Sequence, residues 1–134
     1  MCIRFSEQYA DIDIQQYDGN VKTYINEYVN YLKTQIGDTN LSGTLITLAE
    51  LKSLGCTIND DYSYAETGNH SCENSNNRDW LIISQNIWTR SAYPNIQYRV
   101  WIMRTTGILQ GQDHQGTAGI RPVITISKES LKKQ

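Results

Sequence analysis

The sequence predicts an α+β domain in which two helices pack on a twisted, mainly antiparallel sheet. Helical spacing of apolar residues occurs before Gly55, whereas short apolar runs of strand length occupy residues 79–128. All three tryptophans lie in those runs, at Trp80, Trp88 and Trp101, so we expect the three indoles in the sheet and its core. A chain of 134 residues corresponds to one domain and can bury a core that does not depend on disulfides.

The first helix follows an N-terminal segment, residues 1–17, whose weak alternation indicates an extended arm or short strands. Residues 18–20 break that segment and supply the helix N-cap, and Gly37 ends the helix as a left-handed cap. Between them the apolar residues recur at helical spacing, at Tyr24, Ile25, Tyr28, Val29, Leu32 and Ile36. The tyrosines of this helix, which include Tyr31, fit either core packing or a sugar-stacking stripe, and core packing is favoured.

The second helix follows a short strand at residues 43–46. Thr47 and Glu50 match a capping box, in which each side chain bonds the backbone N–H of the other residue. Three leucines then give the helix an apolar side before Gly55 stops it.

The three cysteines bear on the cellular compartment. Cys56 and Cys72 enclose a polar segment with few apolar residues to fold on, whereas Cys2 stands alone. A bridge between Cys56 and Cys72 closes a loop of about 15 residues and stabilises the fold by roughly 3 kcal/mol. The alternative is two unrelated free thiols. The bridge is favoured, and it indicates an oxidising compartment.

Metal and cofactor sites are not indicated. No CxxC pair is present, and His70 and His114 have no thiol or carboxylate partner at a recurrent ligand spacing, so a zinc site is not predicted. The carboxylates and amides of residues 59–77 offer oxygen ligands for calcium. They do not follow EF-hand spacing, and a solvated loop is favoured. We therefore predict no metal and no cofactor.

Charge and hydropathy argue against two classes of partner. A net charge of −2 provides no positive field for nucleic acid or anionic lipid. No run approaches the roughly 18 to 20 apolar residues of a membrane span, so we expect no membrane contact by this segment. The N-terminus shows no signal peptide, and we expect that any targeting segment is not part of this chain.

Strands are predicted in the later part of the chain, with a turn at residues 105–107 and a tail at residues 129–134. The predicted strands cover residues 79–83, 87–91, 98–103, 108–110 and 119–126. The predicted core draws on both parts of the chain. It comprises Leu45, Leu51, Trp80, Trp88, Trp101, Val123 and Ile124.

A series of short motifs, in this order, resembles a bacterial C-type-lectin-like domain. The motifs are two helix motifs, a partner cysteine before a tryptophan, a central tryptophan strand, a hairpin and a closing strand. They cover residues 20–32, 45–56, 72–81, 88–92, 101–107 and 119–124. The closing strand, Gly-Ile-Arg-Pro-Val-Ile from Gly119, is the most specific of them.

That family is related at a distance to the formylglycine-generating-enzyme fold. It is found in secreted and surface proteins of Gram-positive and related bacteria, and behind the membrane helix of prepilin-type, pseudopilin-like proteins. The resemblance implies a C-type-lectin-like fold and a location outside the cell or at its surface. It also implies a protein or a glycan at that surface as the partner.

The chain departs from the functional signatures of these relatives. The calcium-dependent sugar motifs of animal lectins, Glu-Pro-Asn and Trp-Asn-Asp, are absent. The paired catalytic cysteines of the formylglycine-generating enzymes are missing, since no cysteine follows Cys72. A prepilin helix is also absent. Neither histidine lies in a recognisable catalytic order, so the protein is predicted not to be an enzyme.

We expect a non-catalytic recognition domain, and the alternative is a pilin-like or pseudopilin-like assembly subunit. The candidate ligand-binding residues are polar and aromatic side chains in two loops at one end of the predicted sheet. They are Tyr93, Asn95, Gln97, Arg104, Gln110, Gln112, Asp113 and His114. A polar turn is the favoured interpretation of Asp113 and His114, and we expect the His114 side chain to lie away from the core. Arg90 and Arg121 fit either a carboxylate ligand or a structural contact, and the structural contact is favoured.

Overall fold

The computed structural model describes residues 2–6, 20–58, 70–92 and 99–127. The helices are α1 (Asn20–Ile36), α2 (Leu48–Ser53) and α3 (Arg78–Leu81). The strands are β1 (Cys2–Arg4), β2 (Ser42–Thr44), β3 (Ile87–Ala92), β4 (Arg99–Met103), β5 (Leu109–Asp113), β6 (Thr117–Gly119) and β7 (Val123–Thr125). Most of the predicted N-terminal arm lies outside the described residues. The predicted tail, residues 129–134, lies wholly outside them. None of the described helices is long and apolar enough to cross a bilayer.

Two sheets form the β part, and the larger one is the centre of the fold. It has five strands in the order β1-β6-β3-β4-β5, in which β3 and β6 run parallel and the other neighbours run antiparallel. Strands β2 and β7 form a separate antiparallel pair. The α+β class and the mainly antiparallel pairing are therefore confirmed, and the structure adds a third helix that the sequence did not predict.

Helix α1 packs on the sheet through one apolar stripe. It buries Val21, Ile25 and Val29, which recur every four residues and so lie on one face. The core prediction is wrong for two tyrosines of this helix, because Tyr28 is 40% exposed and Tyr31 is 59% exposed. Both lie outside the stripe, and a ring at that position keeps its hydroxyl in water.

Helix α2 has the caps that its sequence predicts. The Thr47 hydroxyl accepts the Glu50 N–H at 3.2 Å, and the Glu50 carboxylate accepts the Thr47 N–H at 3.0 Å, which completes the capping box. Gly55 has a φ of 97° and Gly37 after α1 has a φ of 78°. Glycine adopts this left-handed conformation without a Cβ clash, so both helices end where the glycines predict.

The Cys56–Cys72 disulfide connects the end of α2 to the segment that leads into α3. Its S–S distance is 2.05 Å, and the predicted bridge is confirmed. Ser71 and Thr57 exchange two backbone hydrogen bonds beside it, at 2.8 and 3.0 Å. Cys2 is exposed and forms no disulfide.

Residues 78–81 form helix α3, so the strand predicted at residues 79–83 is wrong. The Asn77 carbonyl accepts the N–H groups of Trp80 and Leu81 at 3.2 and 3.0 Å, which closes one turn. Leu81 is buried, whereas Trp80 is 48% exposed. The placement of Trp80 in the core is therefore also wrong. A short apolar run does not by itself distinguish a strand from a helical turn, and here the turn-forming Ser and Asn residues before it decide.

The closing strand predicted at residues 119–126 is divided between the two sheets. Strand β6 ends at Gly119, and β7 begins at Val123. Pro122 between them lacks the N–H that a strand ladder needs, so the chain leaves the large sheet there and then pairs with β2. As a result Val123 and Ile124 are half-buried instead of fully buried.

The core forms two clusters, one on each face of the large sheet. Along β4, Trp101 and Met103 belong to one cluster, whereas Val100 and Ile102 belong to the other, as strand alternation requires. Helix α1 contributes to the Val100 cluster, and α2, α3 and the disulfide contribute to the Trp101 cluster. The predicted core residues that are fully buried are Leu45, Leu51, Trp88 and Trp101.

Candidate functional site

The predicted ligand-binding residues that the structure describes do not all lie at one end of the sheet. Met103 pairs with Leu109 at one end of the β4–β5 hairpin, and Arg99 pairs with Asp113 at the other. Arg104 follows Met103, so it lies at the end opposite Asp113 and His114. Gln110 and Gln112 lie on β5 between the two ends. Tyr93, Asn95 and Gln97 lie outside the described residues.

Asp113 and its neighbours form a tight turn between β5 and β6. The Asp113 carboxylate accepts the Gln115 N–H at 2.8 Å, and the Asp113 carbonyl accepts the Gly116 N–H at 2.9 Å. Both contacts stabilise the turn itself. They agree with the polar-turn interpretation of this segment, and binding by the β5 residues stays a prediction.

His114 is buried and holds the N-terminal strand, so the expectation that it lies away from the core is wrong. Its side chain is 5% exposed, and Nδ1 lies 3.1 Å from the Ser6 hydroxyl. The His114 carbonyl accepts the N–H groups of Phe5 and Ser6 at 3.0 and 3.4 Å. Phe5 in turn packs edge-on against Trp88. These contacts give His114 a structural role.

A cleft that we call the Trp80 cleft is lined by residues of α2, α3 and the segment 121–123. It has a volume of about 440 Å³. Its walls are mostly apolar. They are formed by Ile46, Leu54, Leu81, Ile87, Met103 and Val123. Trp80, Arg121 and Glu50 add an exposed aromatic ring and two opposite charges.

The Trp80 indole is oriented by hydrogen bonds from its own turn. Its Nε1–H donates to the Asn77 side-chain oxygen at 2.9 Å. The Asn77 side-chain amide donates to the Leu54 carbonyl at 2.9 Å, and the Ser75 hydroxyl donates to the same carbonyl at 2.6 Å. The indole is thereby linked to the C-terminal end of α2, which holds the ring at the cleft while half of its surface stays in solvent.

Arg121 lies against Trp80 and is fixed by the backbone of α3. Its guanidinium carbon is 5.6 Å from the Trp80 ring centroid, within the range of a cation–π contact. Its Nη1 donates to the Leu81 carbonyl at 3.1 Å, so the favoured structural contact is confirmed. In the part of the chain that the structure describes, no carboxylate pairs with this guanidinium.

The remaining polar groups of the cleft are used within the fold. Glu50 Oε1 accepts the N–H and the hydroxyl of Thr47, each at 3.0 Å. The Ser53 hydroxyl donates to the Glu50 carbonyl at 2.6 Å, and the buried Thr89 hydroxyl donates to the Trp101 carbonyl at 2.8 Å. The surface that faces a ligand is therefore apolar, apart from the two charged groups.

Sequence reasoning placed Trp80 in a core strand and so missed the cleft. The signal that was present is the polar run Asn76, Asn77, Arg78 and Asp79 immediately before this tryptophan. An apolar ring that follows four polar residues is a poor candidate for a buried strand. The contact with Arg121 had no local signal.

Metal ligands are not grouped in the described residues, where no three His, Cys, Asp or Glu side chains converge. Residues 59–69, in the loop for which calcium was the less favoured alternative, lie outside the described residues. His70 lies in the core, with its ring edge-on to Trp101 at 5.1 Å between centroids. Burial lowers the pKa of His70, which favours the neutral imidazole.

Three comparisons with known proteins bear on identity. No family model, no curated protein and no solved structure matches this chain. The α+β fold and the disulfide therefore stand on the structure alone, and the C-type-lectin-like resemblance stands on the sequence motifs alone.

Proposed function

We propose that this protein is a non-catalytic recognition domain that binds its ligand in the Trp80 cleft. The observation that carries the proposal is the pairing of an exposed indole with a fixed guanidinium at an apolar cleft. Aromatic rings and arginines contribute a large share of binding energy in recognition sites. An oriented tryptophan that is 48% exposed beside an apolar cleft provides a continuous apolar surface that a ligand can cover.

The chemistry of the cleft supports binding more than catalysis. A catalytic nucleophile needs a base within hydrogen-bonding reach. The Ser53 and Thr89 hydroxyls instead donate to backbone carbonyls. His70 and His114 pack in the core and against the N-terminal strand, away from the residues that line the cleft.

The proposal places the domain outside the cell or at its surface, where the partner is a protein or a glycan. The Cys56–Cys72 disulfide supports this location, because such bridges persist in oxidising compartments. The C-type-lectin-like architecture belongs to the same proposal. It is supported by the order of the sequence motifs and by the position of the disulfide between the second helix and the Trp80 segment.

Binding arrays test the proposal directly. Glycan and peptide arrays are probed with the wild-type protein, with Trp80→Ala and with Tyr31→Ala, which removes an exposed aromatic ring outside the cleft. We expect ligands whose signal is lost in Trp80→Ala and kept in Tyr31→Ala. Binding that survives Trp80→Ala unchanged would place the site elsewhere on the domain.

A second candidate function, a pilin-like assembly subunit, is favoured by the exposed tyrosines of α1. Tyr28 and Tyr31 present two aromatic rings to solvent on the helix that covers one face of the sheet. Aromatic residues are enriched where proteins meet. Sedimentation velocity over a concentration series tests this role. Self-association that disappears in a Tyr28→Ser, Tyr31→Ser variant supports assembly, and a monomer at every concentration contradicts it.

A further inference from the structure

We infer that the part of the ligand held in the Trp80 cleft is an apolar group that carries a carboxylate, and that Arg121 receives this carboxylate. The inference rests on the proposed function, because it assumes that the cleft is a binding site. It adds the chemical class of the bound group, which we infer from the charge and the volume of the cleft.

Two contacts within the fold position the Arg121 guanidinium. Its guanidinium carbon lies over the Trp80 ring, 5.6 Å from the centroid, and Nη1 donates to the Leu81 carbonyl. A guanidinium has five N–H donors in a planar fork. The Leu81 carbonyl engages one nitrogen of this group, and Arg121 lines the cleft, so its other N–H donors are the ones that can serve an acceptor there. A planar carboxylate matches such a fork with two parallel hydrogen bonds.

Arg121 gives the cleft a positive charge. Arg121 has no carboxylate partner within the described residues, so its positive charge is not neutralised by the surrounding fold. Among the described residues that line the cleft it is the one cation, and Glu50 adds a negative charge there. A single arginine in a cleft that Glu50 also lines suits a monoanion better than a phosphate dianion, because one positive charge balances one negative charge.

The volume and the apolar lining of the cleft restrict the kind of group that it can hold. A volume of about 440 Å³ lies within the range of small-molecule sites, which is roughly 300 to 1,000 Å³. Apart from Arg121 and Glu50 the polar groups of the cleft are satisfied internally. The part of the ligand away from its carboxylate therefore needs to be apolar, and a ring that stacks near Trp80 meets this need.

A matched pair of probes tests the inference with the intact protein. The probes are 3-phenylpropanoate and its neutral amide, which have nearly the same shape and differ in charge. Binding is measured by NMR titration at pH 7, with the indole N–H signal of Trp80 as a site-specific reporter. We expect the carboxylate to bind at least about tenfold more tightly than the amide, which corresponds to about 1.4 kcal/mol.

Variants locate the charge effect. Arg121→Gln should remove the difference between the two probes, whereas Arg4→Gln, which changes an exposed arginine outside the cleft, should leave it unchanged. Arg121→Lys keeps the charge and loses the fork, so we expect an intermediate preference. The wild-type comparison of the two probes decides the inference even if the Arg121 variants fold poorly.

The outcomes separate this inference from the proposed function. If both probes bind equally and Trp80→Ala weakens both, the cleft is a binding site and the carboxylate inference is overturned. If neither probe shifts the Trp80 signal at about 10 mM, a concentration that detects even very weak complexes, the carboxylate inference is overturned, and the binding arrays decide the proposed function separately. A carboxylate preference that persists in folded Arg121→Gln also overturns the role of Arg121.

Discussion

Arg121 and Trp80 form a cation–π pair across the chain, with 5.6 Å between the guanidinium carbon and the ring centroid. Strands β3, β4, β5 and β6 lie between the two residues in the sequence. The pair therefore exists only when the large sheet is complete and the chain has returned to α3 after β6. A site built on this pair therefore depends on the whole fold.

Trp80 should dominate fluorescence quenching by solutes. Trp88 and Trp101 have 0% exposure, whereas Trp80 is 48% exposed. We expect Trp80→Phe to shift the emission maximum to shorter wavelength and to remove most of the quenching by acrylamide. Trp88→Phe is the matched control and should leave the quenching largely intact. Equal quenching of wild type and Trp80→Phe would contradict the exposed position of this ring.

Trp88→Ala should destabilise the protein by roughly 3 to 5 kcal/mol, because it removes a large buried ring and leaves a cavity. The Trp88 indole N–H also donates to the Ile3 carbonyl at 2.8 Å, which ties β1 to the core. Urea unfolding of the variant measures the loss. Trp80→Ala should cost only about 1 kcal/mol, since surface changes usually have small effects. A similar loss in both variants would mean that the burial of Trp88 is misassigned.

Removal of the disulfide should lower the free energy of unfolding by about 3 kcal/mol, because the bridge closes a loop between residues 16 apart in the sequence. The double variant Cys56→Ala, Cys72→Ala is compared with wild type by urea unfolding. Cys2→Ser is the control and should not change stability, since Cys2 is exposed and unbridged. Intact mass with and without reductant checks the bridge independently, and free alkylation of both cysteines without reductant would refute it.

The stability of the protein should fall as the pH drops below about 6.5, in part because of His70. Burial lowers the pKa of His70 in the folded state. The unfolded chain then binds the His70 proton at a higher pH than the folded protein does, so acid favours unfolding. The contribution is complete above the unfolded pKa and is lost as the pH falls towards the folded pKa.

Urea midpoints between pH 7.5 and pH 5 measure this dependence. His70→Gln removes the titrating ring, and we expect a flatter profile below about pH 6.5 than wild type shows. Carboxylates still titrate in the variant, so the comparison uses the difference between the two profiles. Parallel profiles over this range would show that His70 does not couple folding to pH.

His114→Ala should destabilise the protein by about 1 to 3 kcal/mol, because it breaks a buried hydrogen bond to Ser6 and leaves a polar group without that partner. Gln112→Ala, which changes a residue of β5 close to His114, should lower the free energy of unfolding by less than about 0.5 kcal/mol. Thermal or urea melts of both variants provide the measurement. If His114→Ala were as stable as wild type, the N-terminal strand would not depend on this contact.

The sequence by itself determined the elements whose information is local. The helical spacing of Ile25, Val29, Leu32 and Ile36 defines α1, because residues at this spacing share a face in any context. The capping box of Thr47 and Glu50 works in the same way, since both partners lie within one turn. The disulfide also belongs here, because a polar loop with a cysteine at each end has a physical need for a covalent closure.

The strand order was decided by tertiary structure. Strand β6 lies between β1 and β3, and β7 leaves for a second sheet after Pro122. Apolar runs show that residues can form strands, but they do not show which strands pair, because every strand offers the same backbone donors and acceptors. The proline marked a break in the ladder without showing where the chain would go next.

The candidate site was decided almost entirely by tertiary structure. Tryptophan is a large apolar residue of the kind that forms protein cores. Trp80 is nevertheless exposed, because the turn at Asn77 places Leu81 in the core instead. Arg121 is oriented by the Leu81 carbonyl and the Trp80 ring, two groups that come from a distant segment. A local pattern contains no information about such partners, because the free energy that orients them arises only when the segments pack together.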